Sequence, residues 1–205
     1  MKIKICGLTH PREAEFLNRN GVDYAGMVVF LPDRRRNVSL ETAGEIRHAL
    51  APAVKSVAVT ISPSLDQLKI LEQEGFDRIQ IHGRVPEGYE FISVPLWKAF
   101  QEGQFTELGS WQDACGVTGF VLDAASPGSG KAFDWSLLKD MGSLQKPFFL
   151  SGGLSPDNVG EAIAAVHPYG VDVSTGVEKD GMGGKDGAKI GRFVQAVRDA
   201  SGKST

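Results

Sequence analysis

Short apolar segments recur along the whole chain and are separated by longer stretches of mixed polarity. Most of these segments are rich in β-branched or aromatic residues, and several are apolar throughout, which is typical of buried parallel strands. They occupy residues 3–6, 24–30, 56–61, 78–81, 95–99, 119–122, 148–150 and 171–173. The pattern therefore predicts eight strands.

The stretches between these segments carry helical periodicity. A Ser155-Pro156 pair is interpreted as an N-cap followed by a first-turn proline, and Ser62-Pro63 is interpreted as the start of another helix. Segment 106–115 is interpreted as a further helix. The apolar stripes at i, i+3, i+4 spacing are Ala43, Ile46 and Leu50; Leu65, Leu68 and Leu71; Val159, Ala162, Ile163 and Val166; and Ile190, Phe193, Val194 and Val197.

Alternation of strands and helices predicts an α/β fold with a parallel sheet and right-handed crossovers. Eight units favour a compact, single-domain (βα)₈ TIM barrel spanning residues 1–205, and an open doubly wound sheet is the alternative. A chain of 205 residues is short for such a barrel, so its loops must be lean. The C-terminal residues 201–205 are expected to be frayed.

Composition excludes several classes of protein. A net charge of −3 argues against nucleic-acid binding, and no apolar run approaches the roughly 18 residues of a membrane span. The N-terminal segment lacks the apolar core of a signal peptide, so a cytoplasmic protein is expected. Two cysteines, Cys6 and Cys115, have no metal-binding or disulfide spacing and are expected to be reduced, and no metal site is predicted.

Reactive, charged or glycine-rich residues follow most of the predicted strands. In a barrel of parallel strands, the active site lies at the carboxyl ends of the strands. The residues found there are Cys6, the DRRR run at 33–36, His82, Asp123, the SGG sequence at 151–153 and the STG sequence at 174–176. The sequence therefore predicts that these groups share one cavity.

Each of these residues also has a structural interpretation. Cys6 can serve as a small apolar residue, the arginine run can be a solvated surface, and His82 can be a hydrogen-bonded core residue. Asp123 is harder to explain structurally, because it directly follows an entirely apolar strand, and a buried carboxylate costs free energy unless it is paired or functional.

The two glycine loops after the last two predicted strands indicate phosphate binding. Glycine lets backbone N–H groups approach an anion without an intervening side chain, and barrel enzymes often bind phosphate at these two loops. Tight turns without a ligand are the alternative. The sequence GSGK at 128–131 does not extend to a nucleotide-binding P-loop, because Ala125 and Ala132 stand where that motif needs Gly and Ser or Thr. We interpret the loop around it as a flexible segment that closes over substrate.

Several motifs together resemble the phosphoribosylanthranilate isomerase family of tryptophan biosynthesis. They are KICGLTHPREA, DYAGMVVFLPDRRRNVSLETA, IQIHG, VLDA with GSGKAFDW, LSGGLSPDNVGEAI, and GVDVSTGVE with KDGAKIGRFV. The family is a (βα)₈ barrel that converts N-(5-phosphoribosyl)anthranilate into 1-(2-carboxyphenylamino)-1-deoxyribulose 5-phosphate. This Amadori rearrangement uses no metal or organic cofactor.

The resemblance implies a role for each candidate residue. Cys6 matches the family's general base, and Asp123 matches its general acid. Arg36 is expected to bind the anthranilate carboxylate, and Asp172 and His82 are expected to lie near the substrate. The residues implied in phosphate binding are Gly152, Gly153, Thr175 and Gly176.

The implied chemistry is consistent with these residue types. An aspartic acid can protonate the ribose ring oxygen near neutral pH if its pKa is raised, and a cysteine can remove the C2′ proton if its pKa is slightly depressed. Two positions depart from the family pattern. Asn37 stands where an aromatic residue is expected, so packing over the anthranilate ring is in doubt, and Thr175 replaces the more usual serine.

Three alternative functions are weighed against this one. A ribulose-phosphate epimerase would require metal-binding histidines at strand ends, where only His82 stands. A related two-substrate barrel of histidine and tryptophan synthesis would use paired aspartates, and Cys6 argues against it. A non-catalytic phosphate-binding barrel has no need of both Cys6 and Asp123. The expected partner is a small phosphosugar, without nucleic acid or membrane, and the chain is expected to be a monomer or a homodimer.

Overall fold

Eight parallel strands form a closed barrel in chain order, with the last strand pairing with the first. The structure is a computed structural model that describes residues 1–124, 135–138, 144–180 and 183–202. The strands are β1 Lys2–Cys6, β2 Tyr24–Val28, β3 Lys55–Ile61, β4 Arg78–His82, β5 Leu96–Gln101, β6 Val117–Asp123, β7 Phe148–Leu150 and β8 Gly170–Val173. The predicted TIM barrel is confirmed, and each predicted strand overlaps an observed one.

Five α-helices lie on the outside of the barrel in the part of the chain that is described. They are α1 Ala14–Asn20, α2 Leu40–Ala49, α3 Leu65–Gln73, α4 Val159–Val166 and α5 Gly187–Ala200. The apolar stripe predicted for α5 is entirely buried, as are Leu68 and Leu71 of α3. These stripes pack against the outer faces of the strands and form the larger of two hydrophobic clusters.

The predicted helix starts at two serines are wrong. Helix α3 is capped by Ser64, whose side chain accepts from the backbone N–H of Gln67 in a reciprocal capping box. Ser62 instead has a positive φ of 47°. Helix α4 begins after Asn158, and Ser155 lies in the preceding turn.

Strict alternation with α-helices fails between β4 and β6, where all residues are described. Segment 106–115, predicted as an α-helix, contains a 3₁₀ helix at Phe105–Trp111. Gly109 within it and Gly116 after it disfavour a longer helix. Shorter 3₁₀ helices at Tyr89–Phe91 and Trp135–Leu138 stand between β4 and β5 and between β6 and β7. The GSGK loop lies outside the described residues, as do residues 203–205, so its closure over substrate and the frayed tail stay predictions.

The inside of the barrel is filled with apolar and aromatic side chains toward its amino-terminal end. Tyr24, Trp97 and Phe149 form a cluster of rings there, with centroids 4.9 Å apart for Tyr24 and Trp97 and 4.7 Å apart for Trp97 and Phe149. Because this end is filled, space inside the barrel remains at the carboxyl ends of the strands. None of the helices in the described ranges has the length and apolar character needed to cross a bilayer.

Candidate active site

A cavity of about 510 Å³ opens at the carboxyl ends of the strands, and every candidate residue lines it. The residues that the sequence predicts there are Cys6, Arg36, His82, Asp123, Gly152, Gly153, Asp172, Thr175 and Gly176. They come from β1, β4, β6 and β8 and from the loops after β2, β7 and β8. The structure therefore brings together all the groups that follow separate strands in the sequence.

Cys6 ends β1 beside a glycine of the neighbouring strand. Cys6 pairs in register with Gly26 of β2, and a Cβ atom at Gly26 would lie 2.9 Å from the Cys6 Sγ and 3.2 Å from the Lys4 Nζ. Gly26 thus leaves room for both groups. Burial raises the pKa of the Cys6 thiol, Lys4 opposes this rise, and Asp172 adds to it. The pKa of the thiol therefore lies above its ordinary value, and not slightly below it as the implied chemistry would require.

Lys4 and Asp172 form an ion pair inside the barrel. The Lys4 Nζ lies 2.8 Å from Asp172 Oδ2, and the lysine side chain is fully buried. Burial disfavours the Lys4 ammonium, but Asp172 and Cys6 outweigh it, so the Lys4 pKa lies above its ordinary value. Asp172 Oδ1 has no hydrogen-bond partner within the described residues. Lys4 thus places an ammonium group next to Cys6, and Asp172 is its counter-ion.

Asp123 ends β6 and is 6% exposed. Burial and the negative charge of Asp172 raise its pKa to about 7, although the N–H of Ala124 donates to Asp123 Oδ1 at 2.8 Å. Near neutral pH the carboxyl group is therefore protonated in a large fraction of molecules. This agrees with the raised pKa that an acid catalyst requires.

The two glycine loops pack directly against Asp123 and against each other. Gly152 has a φ of +89°, and a Cβ there would lie 2.5 Å from the Ala124 nitrogen and 2.9 Å from Asp123 Oδ1. A Cβ at Gly176 would lie 2.1 Å from the carbonyl oxygen of Leu154. A larger residue at either glycine would displace backbone, so both positions require glycine for close approach.

Arg36 is held at the cavity wall by two side chains from the loop after β8. Its Nε donates to Glu178 Oε1 at 2.6 Å, and its Nη2 donates to Thr175 Oγ1 at 2.8 Å. Burial opposes ionisation of Glu178, but hydrogen bonds from Arg36 and Arg35 outweigh it and lower the Glu178 pKa to about 2. Arg36 is therefore fixed in orientation, whereas the neighbouring Arg35 is largely exposed.

His82 is a neutral imidazole at the end of β4. Burial and the positive charges of Lys4 and Lys98 lower its pKa to about 3. Its Nε2 lies 2.8 Å from the amide nitrogen of Gln80, which therefore donates to it. His82 can offer a polar contact at the cavity wall, but it has no proton to give as an imidazolium at neutral pH.

Asn37 does not line the cavity. Its Oδ1 accepts from the backbone N–H of Leu31 at 2.8 Å and so ties together the two ends of the arginine loop. The cavity wall on this side is formed by Leu31 and Val28. The departure from an aromatic residue at position 37 thus has a local structural reason.

Sequence reasoning missed Lys4, Glu178 and Lys185. The signal for Lys4 was available, because residues 4 and 6 of a strand share a face and a lysine beside a candidate base on that face is unusual. Glu178 stands two residues after the STG sequence, and the Lys185 Nζ lies 3.2 Å from its Oε1. No periodicity indicates that this lysine folds back over the loop.

Comparison with known proteins identifies the family. The model of the family described as N-(5′-phosphoribosyl)anthranilate (PRA) isomerase matches residues 3–196. The chain belongs to the phosphoribosylanthranilate isomerase family. It is therefore an aldose–ketose isomerase of tryptophan biosynthesis, as the motifs indicate.

Relatives cover essentially the whole chain. The N-(5′-phosphoribosyl)anthranilate isomerase of Streptococcus mutans is 41% identical over 200 residues, which is 96% of this chain and 98% of that protein. The crystal structure of the phosphoribosylanthranilate isomerase from Thermus thermophilus has a TM-score of 0.85 at 28% identity, covering 97% of this chain and 99% of the other.

A further solved structure contains a ligand. This phosphoribosylanthranilate isomerase, in complex with reduced 1-(o-carboxyphenylamino)-1-deoxyribulose 5-phosphate, has a TM-score of 0.82 at 30% identity and covers 98% of this chain and 99% of the other.

Proposed function

We propose that this chain catalyses the Amadori rearrangement of N-(5-phosphoribosyl)anthranilate with Asp123 as general acid and Cys6 as general base. The observation that carries the proposal is that both side chains line the same cavity and that the Asp123 pKa is raised to about 7. A carboxyl group that is protonated near neutral pH is what ring opening requires.

Asp123 acts in the first step. The anthranilate nitrogen forms a double bond to C1′ as the bond from C1′ to the ring oxygen breaks, and Asp123 transfers its proton to that oxygen. The products of this step are an iminium ion and the Asp123 carboxylate. Burial of Asp123 favours its protonated form before the step.

Cys6 acts in the second step. Its thiolate removes the proton from C2′, which the adjacent iminium ion makes acidic, and the electron pair forms a double bond between C1′ and C2′. The resulting enol takes up a proton at C1′ and releases its hydroxyl proton, so no atom is gained or lost overall. The free site disfavours the thiolate by burial, and the Lys4 ammonium favours it.

Anion-binding groups hold the two ends of the substrate in this proposal. Arg36 pairs with the anthranilate carboxylate, and its Nε and Nη2 bonds to the loop after β8 set the orientation of the guanidinium. The glycines at 152, 153 and 176, with Thr175, provide the phosphate site, and Asp172 and His82 border the ribose. The chain is expected to act in the cytoplasm as a monomer or homodimer.

Replacement of Asp123 by asparagine tests the proposal. The amide fills the same space but has no acidic proton for the ring oxygen, so turnover should fall at least about 100-fold. The assay follows the loss of substrate fluorescence with purified protein. Asp66→Asn is the matched control, because Asp66 lies exposed on α3, and it should keep wild-type turnover. An Asp123→Asn variant with more than about a tenth of wild-type turnover would overturn the assignment.

A further inference from the structure

The buried lysine of β1 neither donates nor accepts a proton in the proposed mechanism. Lys4 is fully buried inside the barrel, where an ammonium group costs free energy unless it is paired. An apolar residue would fill the interior of a strand at lower cost. The presence of a lysine beneath the active cavity therefore requires a reason that packing does not supply.

Lys4 lies next to the proposed base. Lys4 and Cys6 stand two residues apart on β1 and point to the same face. Their Nζ and Sγ atoms border the same small space left by Gly26, at 3.2 Å and 2.9 Å from the position that a Cβ would take there. The ammonium group is thus close enough to stabilise a negative charge on the sulfur.

Lys4 also fixes the neighbouring carboxylate. Its Nζ holds Asp172 Oδ2 at 2.8 Å, and Asp172 Oδ1 is without a hydrogen bond among the described residues while the side chain lines the cavity. The Lys4 ammonium therefore contacts the Asp172 carboxylate on β8 and lies beside the Cys6 thiol on β1.

We propose that Lys4 is a positioning residue for the isomerisation, whose ammonium group stabilises the Cys6 thiolate and holds Asp172 as its counter-ion at the cavity floor. The effect on the thiol is independent of turnover. Its consequence for catalysis rests on the proposed role of Cys6 as base.

The charges around Cys6 determine whether removal of Lys4 raises or lowers the pKa of the thiol. Lys4 on β1 and Lys185 before α5 favour the thiolate, whereas burial and Asp172 on β8 disfavour it. Without Lys4, burial and the carboxylate of Asp172 both remain and both disfavour the thiolate, so the thiolate becomes less stable.

Alkylation of Cys6 as a function of pH tests the inference. The protein carries Cys115→Ser, because Cys115 is exposed and would also react. Iodoacetamide reacts with the thiolate, so the rate of modification at Cys6 reports its ionisation. In Lys4→Met the midpoint should rise by about one pH unit or more, which lowers the rate at a pH below both midpoints about tenfold.

Two further variants separate the effect of the Lys4 charge from the effects of losing any buried lysine and of leaving Asp172 unpaired. Lys98→Met is the matched control, since Lys98 is also a buried strand lysine but packs against Phe100 and Trp111 outside the cavity, and it should leave the midpoint unchanged. Lys4→Met/Asp172→Asn replaces the ion pair by two neutral groups and avoids a buried unpaired charge. Its midpoint should also rise, because Lys4 affects the thiol more strongly than Asp172 does.

The outcomes separate this inference from the proposed mechanism. An unchanged Cys6 midpoint in folded Lys4→Met, or in the double variant, overturns the inference. The high-pH limb of kcat/KM should move upward together with the thiol midpoint in Lys4→Met. If the midpoint moves and the limb does not, Lys4 does stabilise the thiolate, and the assignment of Cys6 as base is wrong.

Discussion

Replacement of Glu178 by glutamine removes the carboxylate that joins three cations at the edge of the active cavity. Glu178 accepts from Arg35, Arg36 and Lys185 and is buried. Its pKa of about 2 in the folded protein lies below the ordinary value of 4.5. At about 1.4 kcal/mol per unit of pKa difference, the ionised carboxylate stabilises the fold by about 3 kcal/mol at neutral pH.

The sign of the pH dependence follows from the lowered pKa. A depressed folded-state pKa contributes stability that is fully present above the unfolded-state pKa and is lost as the pH falls through the folded-state pKa. The stability difference between wild-type protein and Glu178→Gln should therefore be about 3 kcal/mol at pH 7 and roughly half of that at pH 3.

Urea unfolding followed by circular dichroism at several pH values measures this difference. Asp180→Asn is the control, because Asp180 pairs with Lys189 but is almost fully exposed, and it should leave the unfolding midpoint unchanged. A difference at pH 7 below about 0.5 kcal/mol, or one that does not shrink toward pH 3, would refute this account of the cation cluster.

The remaining predictions concern the groups to which we assign catalysis and substrate binding. Arg36→Met should raise KM far more than Arg36→Lys, because ammonium keeps the charge but loses the bidentate geometry; equal KM values in both variants and wild-type protein would mean that Arg36 does not bind substrate. The kcat/KM profile should fall below about pH 7 and again above the thiol pKa, because in the proposed mechanism the active form carries one proton, on Asp123 and not on Cys6. A profile without a limb near pH 7 in initial-rate measurements would contradict the Asp123 pKa. Gly152→Ala should lower turnover at least about tenfold, since a Cβ there presses on Ala124 and Asp123; unchanged turnover would show that the loop has room to shift.

The strands and the residues that line the cavity can be predicted from the sequence, because both depend on the local pattern of apolar and polar residues. Fully apolar β-branched runs mark buried strands, and closing such strands in chain order brings Cys6, Asp123 and the glycine loops to one end. Arg36 lies at the same end of the barrel because its loop follows the carboxyl end of β2.

Other features depend on tertiary contacts that no local pattern encodes. The raised pKa of Cys6 results from burial by several strands, and the orientation of Arg36 depends on Glu178, which lies far along the chain. The start of α3, in contrast, has a local signal, because Ser64 and Gln67 form an S-x-x-Q capping box that the Ser62-Pro63 interpretation overlooks. The 3₁₀ helix at Phe105–Trp111 contains Gly109 and is followed by Gly116, and both glycines disfavour a longer helix.

The most direct test of the proposed mechanism is the turnover of Cys6→Ser measured beside its affinity for a stable product analogue. Serine keeps the size of the side chain, but its hydroxyl is not ionised near neutral pH, so no base remains for the C2′ proton. We predict that kcat falls at least about 100-fold, while the dissociation constant for the reduced product analogue, measured by calorimetry, changes less than about threefold. Near-normal turnover by Cys6→Ser would contradict the assignment of Cys6 as the base.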